Sequence, residues 1–437
     1  MLSFLSKLLL FTKNPLILIT ITTKVLKGAV LMITKVFADL TFDEQLAHLT
    51  TVAHRALTRW GYPANSHLKL LNYTENATFL VTTPEKPTMV MRVHRLAYTS
   101  RDSIHTELEW LAHLRAHTNL KVETPIPTPS GQLIEAIDTP ELSERRFVVC
   151  FQFVQGESPV DSSDGNADIG GVIKVISAFP KALTLLVFRL AATVQLHVSR
   201  YRPTKMTAED RQLYRTIGQV CATLHKAATH WQYPADFKRM TWDFAGTIGK
   251  HNNFYGADYH APDWLNTKAL ATIDEAVALC HEHLQHYDRN ASTYGMIHSD
   301  LRAANLLQNH DELTILDFDD CGMGYYMYDI ASVVALMEHR GDLTEVVREL
   351  LTGYETIRPL TDADRKMVWT FIMLRRVGML QSLLSRMGHV MAGAGESQSL
   401  TPEVLAFYAT GTAGLAKRYC REHPLNETVM STKEVTL

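Results

Sequence analysis

The chain has 437 residues, 46% of them hydrophobic and 20% charged, a length that allows two lobes and a composition that excludes bulk disorder. The 43 Lys and Arg residues nearly balance the 46 Asp and Glu residues, and the net charge of −3 predicts no nucleic-acid partner. The five cysteines are far apart in sequence, which predicts neither a disulfide framework nor a Cys-based zinc site and favours a cytoplasmic location.

Residues 1–40 are predicted to form an extension outside the fold. No acidic residue precedes Asp39, and lysines interrupt every apolar stretch, so none reaches the roughly 20 residues of a membrane span. Two interpretations stay open, an upstream start with Met32 as the true initiator and a peripheral membrane anchor. A small molecule is the favoured binding partner of the chain, and a membrane is the less favoured one.

Residues 41–155 are predicted to form a small lobe that binds nucleotide. Thr41 and Glu44 have the spacing of a capping box at a helix start, and a second helix is predicted over 103–115. Alternation in the third strand places Arg92 and His94 on one face and Met91 on the other. Together the strands predict a mostly antiparallel sheet, with strands at 69–71, 78–82, 88–94, 132–136 and 147–154.

Residues 156–437 are predicted to form a mainly helical lobe with an insertion at about 157–205. The insertion contains a polar, Gly-rich stretch and then an apolar stretch with spaced basic residues. The apolar stretch is interpreted as a surface helix, with a basic amphipathic helix for a membrane or partner as the alternative. The tail over 328–419 is predicted to be almost wholly helical, with breaks near Pro359 and at 393–395.

The segment over 296–331 has the clearest functional pattern. It contains His298-x-Asp300, then Asn305, then a short apolar run that ends in Asp317-Phe318-Asp319. Two strands with a turn at 309–312 predict a hairpin. Because a hairpin places the residue before its first strand near the residue after its second, Asn305 and Asp317 are expected to converge, with Asp300 facing the same point.

Phosphoryl transfer from ATP requires such a set of groups. Mg²⁺ takes a few protein oxygens beside water and phosphate oxygens, which suits Asn305 and Asp317 as metal ligands. Asp300 fits the base that receives the proton of the attacking hydroxyl. Asp319 is a candidate for a second metal or for loop structure, and His298 is expected to brace the loop.

These motifs in combination resemble the aminoglycoside phosphotransferase and choline kinase-like family, which also holds type II homoserine kinases and stress-response kinase A. Tyr328-Asp329-Ile330-Ala331 resembles the stretch after the metal aspartate, where the aspartate is usually structural. The resemblance covers about Leu46 to Arg376 without the insertion. It implies an α+β, two-lobed protein-kinase-like fold, with a small antiparallel-sheet N-lobe, a large helical C-lobe, and ATP and Mg²⁺ between them.

The resemblance also implies a nucleotide site. Arg92 takes the place of the phosphate-contacting lysine of kinase-like folds, and Glu107 that of the helix glutamate paired with it. The turn containing Asn76 matches a glycine-poor loop over the phosphates. The hinge that meets adenine falls at Phe151, Phe153 and Val154.

The predicted function is ATP-dependent phosphoryl transfer to a hydroxyl of a small metabolite, of the aminoglycoside, homoserine or amino-alcohol type. A Ser/Thr protein kinase of the stress-response kinase A type is one alternative, although twelve positions from Asp317 to Asp329 leave no room for a long activation segment. A catalytically inactive nucleotide-sensing module is the other. Arg375-Arg376 is interpreted as holding an acidic substrate group or as forming a structural ion pair.

Overall fold

The computed structural model describes residues 36–73, 76–96, 99–159, 206–249, 253–387, 390–393 and 396–425. The first 35 residues and positions 160–205 of the predicted insertion lie outside the described residues. The helices of eight or more residues are α1 (Phe42–Leu57), α2 (Arg101–His117), α3 (Ala208–Ala228), α5 (Thr267–Gln285), α6 (Tyr326–Val333), α7 (Leu343–Glu355), α8 (Asp362–Ser385) and α9 (Pro402–Glu422), with the single-turn α4 (Phe244–Ile248) between α3 and α5.

The small lobe is an antiparallel sheet with α1 and α2. Its strands are β1 (His67–Tyr73), β2 (Ala77–Thr83), β3 (Lys86–Val93), β5 (Glu135–Thr139), β6 (Glu144–Gln152), β12 (Val390–Gly393) and β13 (Glu396–Ser399). Their order is β13-β12-β1-β2-β3-β6-β5. The remaining strands form two three-stranded sheets, from β4 (Lys121–Val122), β9 (Leu306–Asn309) and β10 (Glu312–Ile315), and from β7 (Met240–Trp242), β8 (Tyr294–Ile297) and β11 (Gly322–Tyr325).

The sequence pattern explains why α1 and β3 form the core of the small lobe. The predicted capping box closes the start of α1, where Thr41 N donates to Glu44 Oε2 at 2.9 Å and Glu44 N donates to Thr41 Oγ1 at 3.3 Å. Met91 and its neighbours on the same face of β3 are fully buried against the apolar side of α1. The opposite face therefore carries Arg92 and His94 towards the large lobe, as the alternation predicts.

Strand and lobe boundaries differ from the prediction at several places, and contacts in the structure explain two of the differences. Strand β5 begins at Glu135, because a turn stabilised by the hydrogen bond from Thr128 N to Gln132 O, 2.8 Å long, occupies the preceding residues. The fold also begins before residue 41. The ring of Phe37 lies 4.1 Å from the guanidinium carbon of Arg146, so residues 36–40 pack on the lobe instead of belonging to an outer extension.

The tail predicted to be almost wholly helical contains two strands in addition to its helices. Strands β12 and β13 form a hairpin between α8 and α9, and β12 pairs with β1, with Asn72 opposite Gly393 and Tyr73 opposite Ala392. The break predicted at 393–395 falls between β12 and β13, and positions 394 and 395 lie outside the described residues. The last part of the chain thus adds two strands to the small-lobe sheet, so the boundary at 155/156 does not separate the lobes completely.

Tight helix packing fixes the large lobe. Gly218 of α3 and Gly353 of α7 allow a close crossing, because a Cβ atom on either would lie within 2.0 Å of a backbone oxygen of the other helix. All five cysteines are free thiols, and four of them are buried. Among the described residues, no helix combines the length and apolar character that crossing a membrane requires.

Candidate active site

A buried aspartate in α6 organises the loop that carries Asp300. Asp329 accepts hydrogen bonds from His298 N at 2.9 Å and Ser299 N at 2.6 Å, and its carboxylate lies 3.0 Å from His225 Nε2. Burial opposes its ionisation, but the contact with His225 and the donated N–H groups lower the pKa of Asp329. Ser299 has a φ of 69°, a left-handed conformation that these bonds hold in place.

His298 braces the same loop from within. Its Nε2 lies 3.0 Å from Leu316 O, and its Nδ1 lies 3.3 Å from Asp300 N. With 1% of its surface exposed, the imidazole has both nitrogens engaged by backbone groups. This geometry suits the bracing role expected from the sequence and leaves the ring no free nitrogen for proton transfer.

The hairpin of β9 and β10 brings Asn305 and Asp317 together. Ile315 pairs with Leu306, and Leu316 N donates to Asn305 O at 2.8 Å, so the two polar residues flank the open end of one hairpin. Asp317 has a φ of 62°, a conformation that aspartate tolerates better than most residues. Asn305 Nδ2 donates to Asp300 O at 2.8 Å and to Asp300 Oδ2 at 3.0 Å. All three predicted residues therefore converge.

The donor set at this point suits a hard cation. Both hydrogen bonds from the Asn305 amide nitrogen go to Asp300, and neither uses the amide oxygen Oδ1. The Asp317 side chain is 49% exposed to the cleft and is 3.4 Å from Arg92 Nη2. Desolvation, together with the carboxylates of Glu123, Asp319 and Asp300, raises the pKa of Asp317 to about 6. An added cation would relieve this concentration of negative charge, and amide and carboxylate oxygens are the ligands that Mg²⁺ and Ca²⁺ prefer.

Two arginines hold the Asp300 carboxylate. Arg302 Nε and Nη2 donate to Asp300 Oδ1 and Oδ2 at 2.8 and 2.9 Å, and Arg375 Nη2 donates to Oδ1 at 2.5 Å. Burial opposes ionisation, but the two guanidinium groups hold the pKa of Asp300 well below its usual range. The neighbouring Arg376 forms a buried ion pair with Glu338, at 3.0 Å. The two arginines considered together in the sequence thus have different roles.

Arg92 lies at the centre of a buried carboxylate cluster. Its Nη1 donates to Glu107 Oε1 at 2.6 Å, and its Nη2 is 3.3 Å from Glu123 Oε2. Although burial opposes the charge, Glu107, Glu123 and Asp317 raise the pKa of Arg92 well above its usual value. The expected pairing of Arg92 with Glu107 is present, and Phe151 packs beneath it with its ring centre 4.8 Å from the guanidinium carbon.

Asn76 and Asp319 contact each other across the two lobes. Asn76 Nδ2 donates to Asp319 Oδ2 at 2.8 Å, and Asn76 Oδ1 accepts from Arg95 N at 3.0 Å. His94 Nδ1 lies 3.6 Å from Asp319 Oδ1. Asp319 is 4% exposed. Of the two roles considered for it, this burial favours loop structure over a second metal, and the amide of Asn76 faces Asp319 instead of open solvent.

The predicted hinge follows strand β6 of the small-lobe sheet. Gln152 N donates to Thr124 O at 2.9 Å, and strand pairing then stops until Glu157 meets Gln308. Phe153 is 45% exposed and Val154 is half-buried. The backbone between Phe153 and Gly156 is therefore free of sheet pairing, as an adenine-contacting hinge requires. The Phe151 side chain, in contrast, packs against the guanidinium group of Arg92.

Sequence reasoning missed three charged residues of the site. Glu123 lies beside a two-residue strand with no periodic pattern, so nothing in the sequence marks it. Arg239 is half-buried and donates to Phe318 O at 3.4 Å and Ser103 O at 3.1 Å, contacts that only the fold creates. Arg302 lies inside the segment 296–331. Its position two residues after Asp300 could have indicated an ion pair with that carboxylate.

Comparisons with known proteins identify the family and the fold. The chain matches the phosphotransferase enzyme family over residues 68–194 and 180–365. It is 22% identical to amicoumacin kinase of Bacillus subtilis over 355 residues, which cover 79% of this chain and 87% of that protein.

Two solved structures are similar over most of their length. A microcompartment-associated aminopropanol kinase has 29% identity and a TM-score of 0.66, covering 86% of this chain and 99% of its own. An amicoumacin kinase in complex with AMP-PNP and Ca²⁺ has 16% identity and a TM-score of 0.58, covering 86% and 96%. The second likeness bears on the fold alone.

Proposed function

The chain belongs to the phosphotransferase enzyme family and is a kinase, and we propose that it transfers the γ-phosphate of ATP, with Mg²⁺, to a hydroxyl group of a small amino alcohol. The observation that carries the proposal is the convergence of Asn305 and Asp317 on Asp300 at one end of a hairpin. A base and a pair of metal ligands at one point are what in-line phosphoryl transfer needs.

Each residue of the site has a role in this proposal. Asp300 accepts the proton of the acceptor hydroxyl, and Asn305 and Asp317 hold the metal ion. When bound, a divalent cation supplies positive charge against the phosphate oxygens. Arg92, held by Glu107, contacts the α- and β-phosphates.

The remaining residues position the nucleotide and the loops around it. Phe153 and Val154 supply the hinge that meets adenine, with Phe151 supporting Arg92 behind it. Asn76 places the turn that covers the phosphates against Asp319. The match to the phosphotransferase enzyme family supports the use of a nucleotide with a divalent metal, and one structure of the same fold holds AMP-PNP and Ca²⁺.

Two observations support an amino alcohol as the acceptor: the similarity to an aminopropanol kinase and the restricted access to Asp300. The aminopropanol kinase is matched over 99% of its length. Asp300 is only 8% exposed, so the hydroxyl must enter a narrow space between the loop and α8. A small molecule enters such a space more easily than a folded protein does. The short interval from Asp317 to Asp329 provides no long segment to seat a protein substrate.

Measurement of ATP consumption tests the proposal. The purified chain is assayed with ATP, Mg²⁺ and one acceptor pool at a time. The pools are amino alcohols; homoserine with choline; aminoglycosides; amicoumacin; sugars; and a generic protein substrate. We expect turnover with the amino-alcohol pool and none in the Asp300→Asn variant. Turnover confined to another pool would reassign the acceptor, and turnover with protein alone would favour a stress-response type of protein kinase.

Nucleotide binding, measured separately from turnover, separates an inactive nucleotide-sensing module from a protein that does not bind nucleotide. A protein that binds ATP with Mg²⁺, as shown by a raised melting temperature, but never consumes it with any pool would contradict the kinase mechanism. Asp300→Asn serves as the matched control because it keeps the size of the side chain while removing its charge.

A further inference from the structure

Every hydrogen-bond acceptor position of the Asp300 carboxylate, the expected base, is occupied. Asp300 Oδ1 accepts from Arg302 Nε and Arg375 Nη2, and Oδ2 accepts from Arg302 Nη2 and Asn305 Nδ2. An ionised carboxylate offers about four lone-pair directions, and here all are taken. An acceptor hydroxyl can donate to this carboxylate only after one of the three donor residues leaves.

Arg302 is the donor that can leave at the lowest cost. Arg375 is 3% exposed and also donates to Tyr255 Oη at 2.8 Å, and Asn305 is 8% exposed and also donates to the backbone oxygen of Asp300. The Arg302 side chain is 29% exposed, and both hydrogen bonds that it makes go to the Asp300 carboxylate. The Asp300 carboxylate, together with that of Asp317, raises the pKa of Arg302.

We infer that Arg302 exchanges partners when the nucleotide binds, leaving the Asp300 carboxylate for the γ-phosphate. The inference rests on the proposed function and adds a catalytic residue to it. The exchange frees two acceptor sites on Asp300 and brings a planar guanidinium to the group being transferred, where such a fork matches phosphate oxygens. It also makes the base available only when the phosphate donor is present.

The transfer that follows is balanced. The acceptor oxygen forms a bond to the γ-phosphorus while the bond from that phosphorus to the β,γ-bridging oxygen breaks. The hydroxyl proton passes to the freed Asp300 carboxylate, and ADP leaves with the electron pair of the broken bond. Arg302 contacts the transferring phosphoryl group throughout and does not itself take a proton.

Calorimetric titration with AMP-PNP and with ADP, each with Mg²⁺, tests the exchange without requiring turnover. AMP-PNP carries a γ-phosphate and ADP does not. In the full chain, Arg302→Ala is expected to weaken AMP-PNP binding about tenfold, by loss of a charge-assisted contact, and to leave ADP binding within about twofold. Arg302→Lys keeps the positive charge but not the planar guanidinium. Its affinity for AMP-PNP is expected to lie between that of the wild type and that of Arg302→Ala.

Turnover provides the second readout. Arg302→Ala is expected to lower kcat about 100-fold, the effect of removing one donor to a transition-state oxygen, with little change in the KM of the acceptor. Added guanidinium is expected to restore part of that rate. Arg145→Ala is the matched control, because Arg145 also binds a carboxylate through Nε at 2.7 Å, that of Asp138, but on the exposed surface of the small lobe.

Two results would overturn the inference. Equal effects of Arg302→Ala on AMP-PNP and ADP would mean that Arg302 does not reach the γ-phosphate. An unchanged or raised kcat would mean that it only obstructs Asp300. A wild-type protein that transfers phosphate to no acceptor would instead contradict the proposed function, and the comparison of the two nucleotides would still decide the role of Arg302.

Discussion

The buried pair of Arg92 and Glu107 gives the sharpest stability prediction. Both side chains are at most 5% exposed, and their nitrogen and oxygen atoms are 2.6 Å apart. Removing one partner of a buried pair costs about 3–5 kcal/mol. In Glu107→Gln the cost is expected to be lower, about 2 kcal/mol, because Arg92 keeps Glu123 at 3.3 Å and Asp317 at 3.4 Å as partners.

The same substitution is expected to affect nucleotide binding. Released from Glu107, the guanidinium of Arg92 is drawn towards Asp317, where it competes with the metal ion. We therefore expect Mg²⁺-dependent ADP binding to weaken about tenfold, which corresponds to about 1.4 kcal/mol. Urea unfolding measures the change in stability, and calorimetric titration of ADP with and without Mg²⁺ measures the change in binding.

A surface pair of the same chemistry provides the control. Glu141 lies 3.0 Å from Arg55 Nη1, and both side chains are 41% exposed. Glu141→Gln is expected to cost less than about 1 kcal/mol and to leave ADP binding unchanged. Equal losses of stability in Glu107→Gln and Glu141→Gln, or an unchanged ADP affinity in Glu107→Gln, would contradict this role of Glu107.

Three further predictions concern the loops of the site. Asp329→Ala leaves the His298 and Ser299 N–H groups without their acceptor, so we expect a loss of about 3 kcal/mol in urea unfolding and a fall in kcat, whereas a loss confined to stability would contradict the bracing role. Because the pKa of Asp317 is raised to about 6, its carboxylate becomes neutral as the pH falls through that value, so Mg²⁺-dependent ADP binding is expected to weaken between pH 7 and pH 5; a flat profile would contradict this. Asn76→Ala removes the contact with Asp319, and we expect a higher KM for ATP with little change in the free energy of unfolding; an unchanged KM would contradict a role for that turn.

The parts of the site that sequence could predict are those set by local geometry. Alternation along β3 is enough to place Arg92 opposite the core, and a hairpin is enough to bring Asn305 to Asp317. The first inference uses the two-residue repeat of a strand, and the second uses a short turn between two strands. Both features are local and can be read from neighbouring residues in the sequence. The pairing of Arg92 with Glu107 needed the family resemblance in addition.

The parts that sequence could not predict depend on contacts between distant segments. The β12–β13 hairpin has strands of four residues, and its pairing with β1 joins positions more than 300 residues apart, so no local period marks it. Glu123 enters the site only because the loop after β4 passes under Arg92. Arg302 was within the motif, but its occupation of the Asp300 carboxylate depends on the three-dimensional fold.

ATP consumption with the amino-alcohol pool, compared between the wild-type protein and Asp300→Asn, tests whether the chain is a kinase that uses Asp300 as its base. We expect acceptor-dependent turnover in the wild type and its loss in the variant, with Mg²⁺-dependent ADP binding retained because Asp300 contacts neither the adenine nor the β-phosphate. Turnover that survives in Asp300→Asn, or the absence of turnover with every acceptor pool despite nucleotide binding, would contradict this expectation.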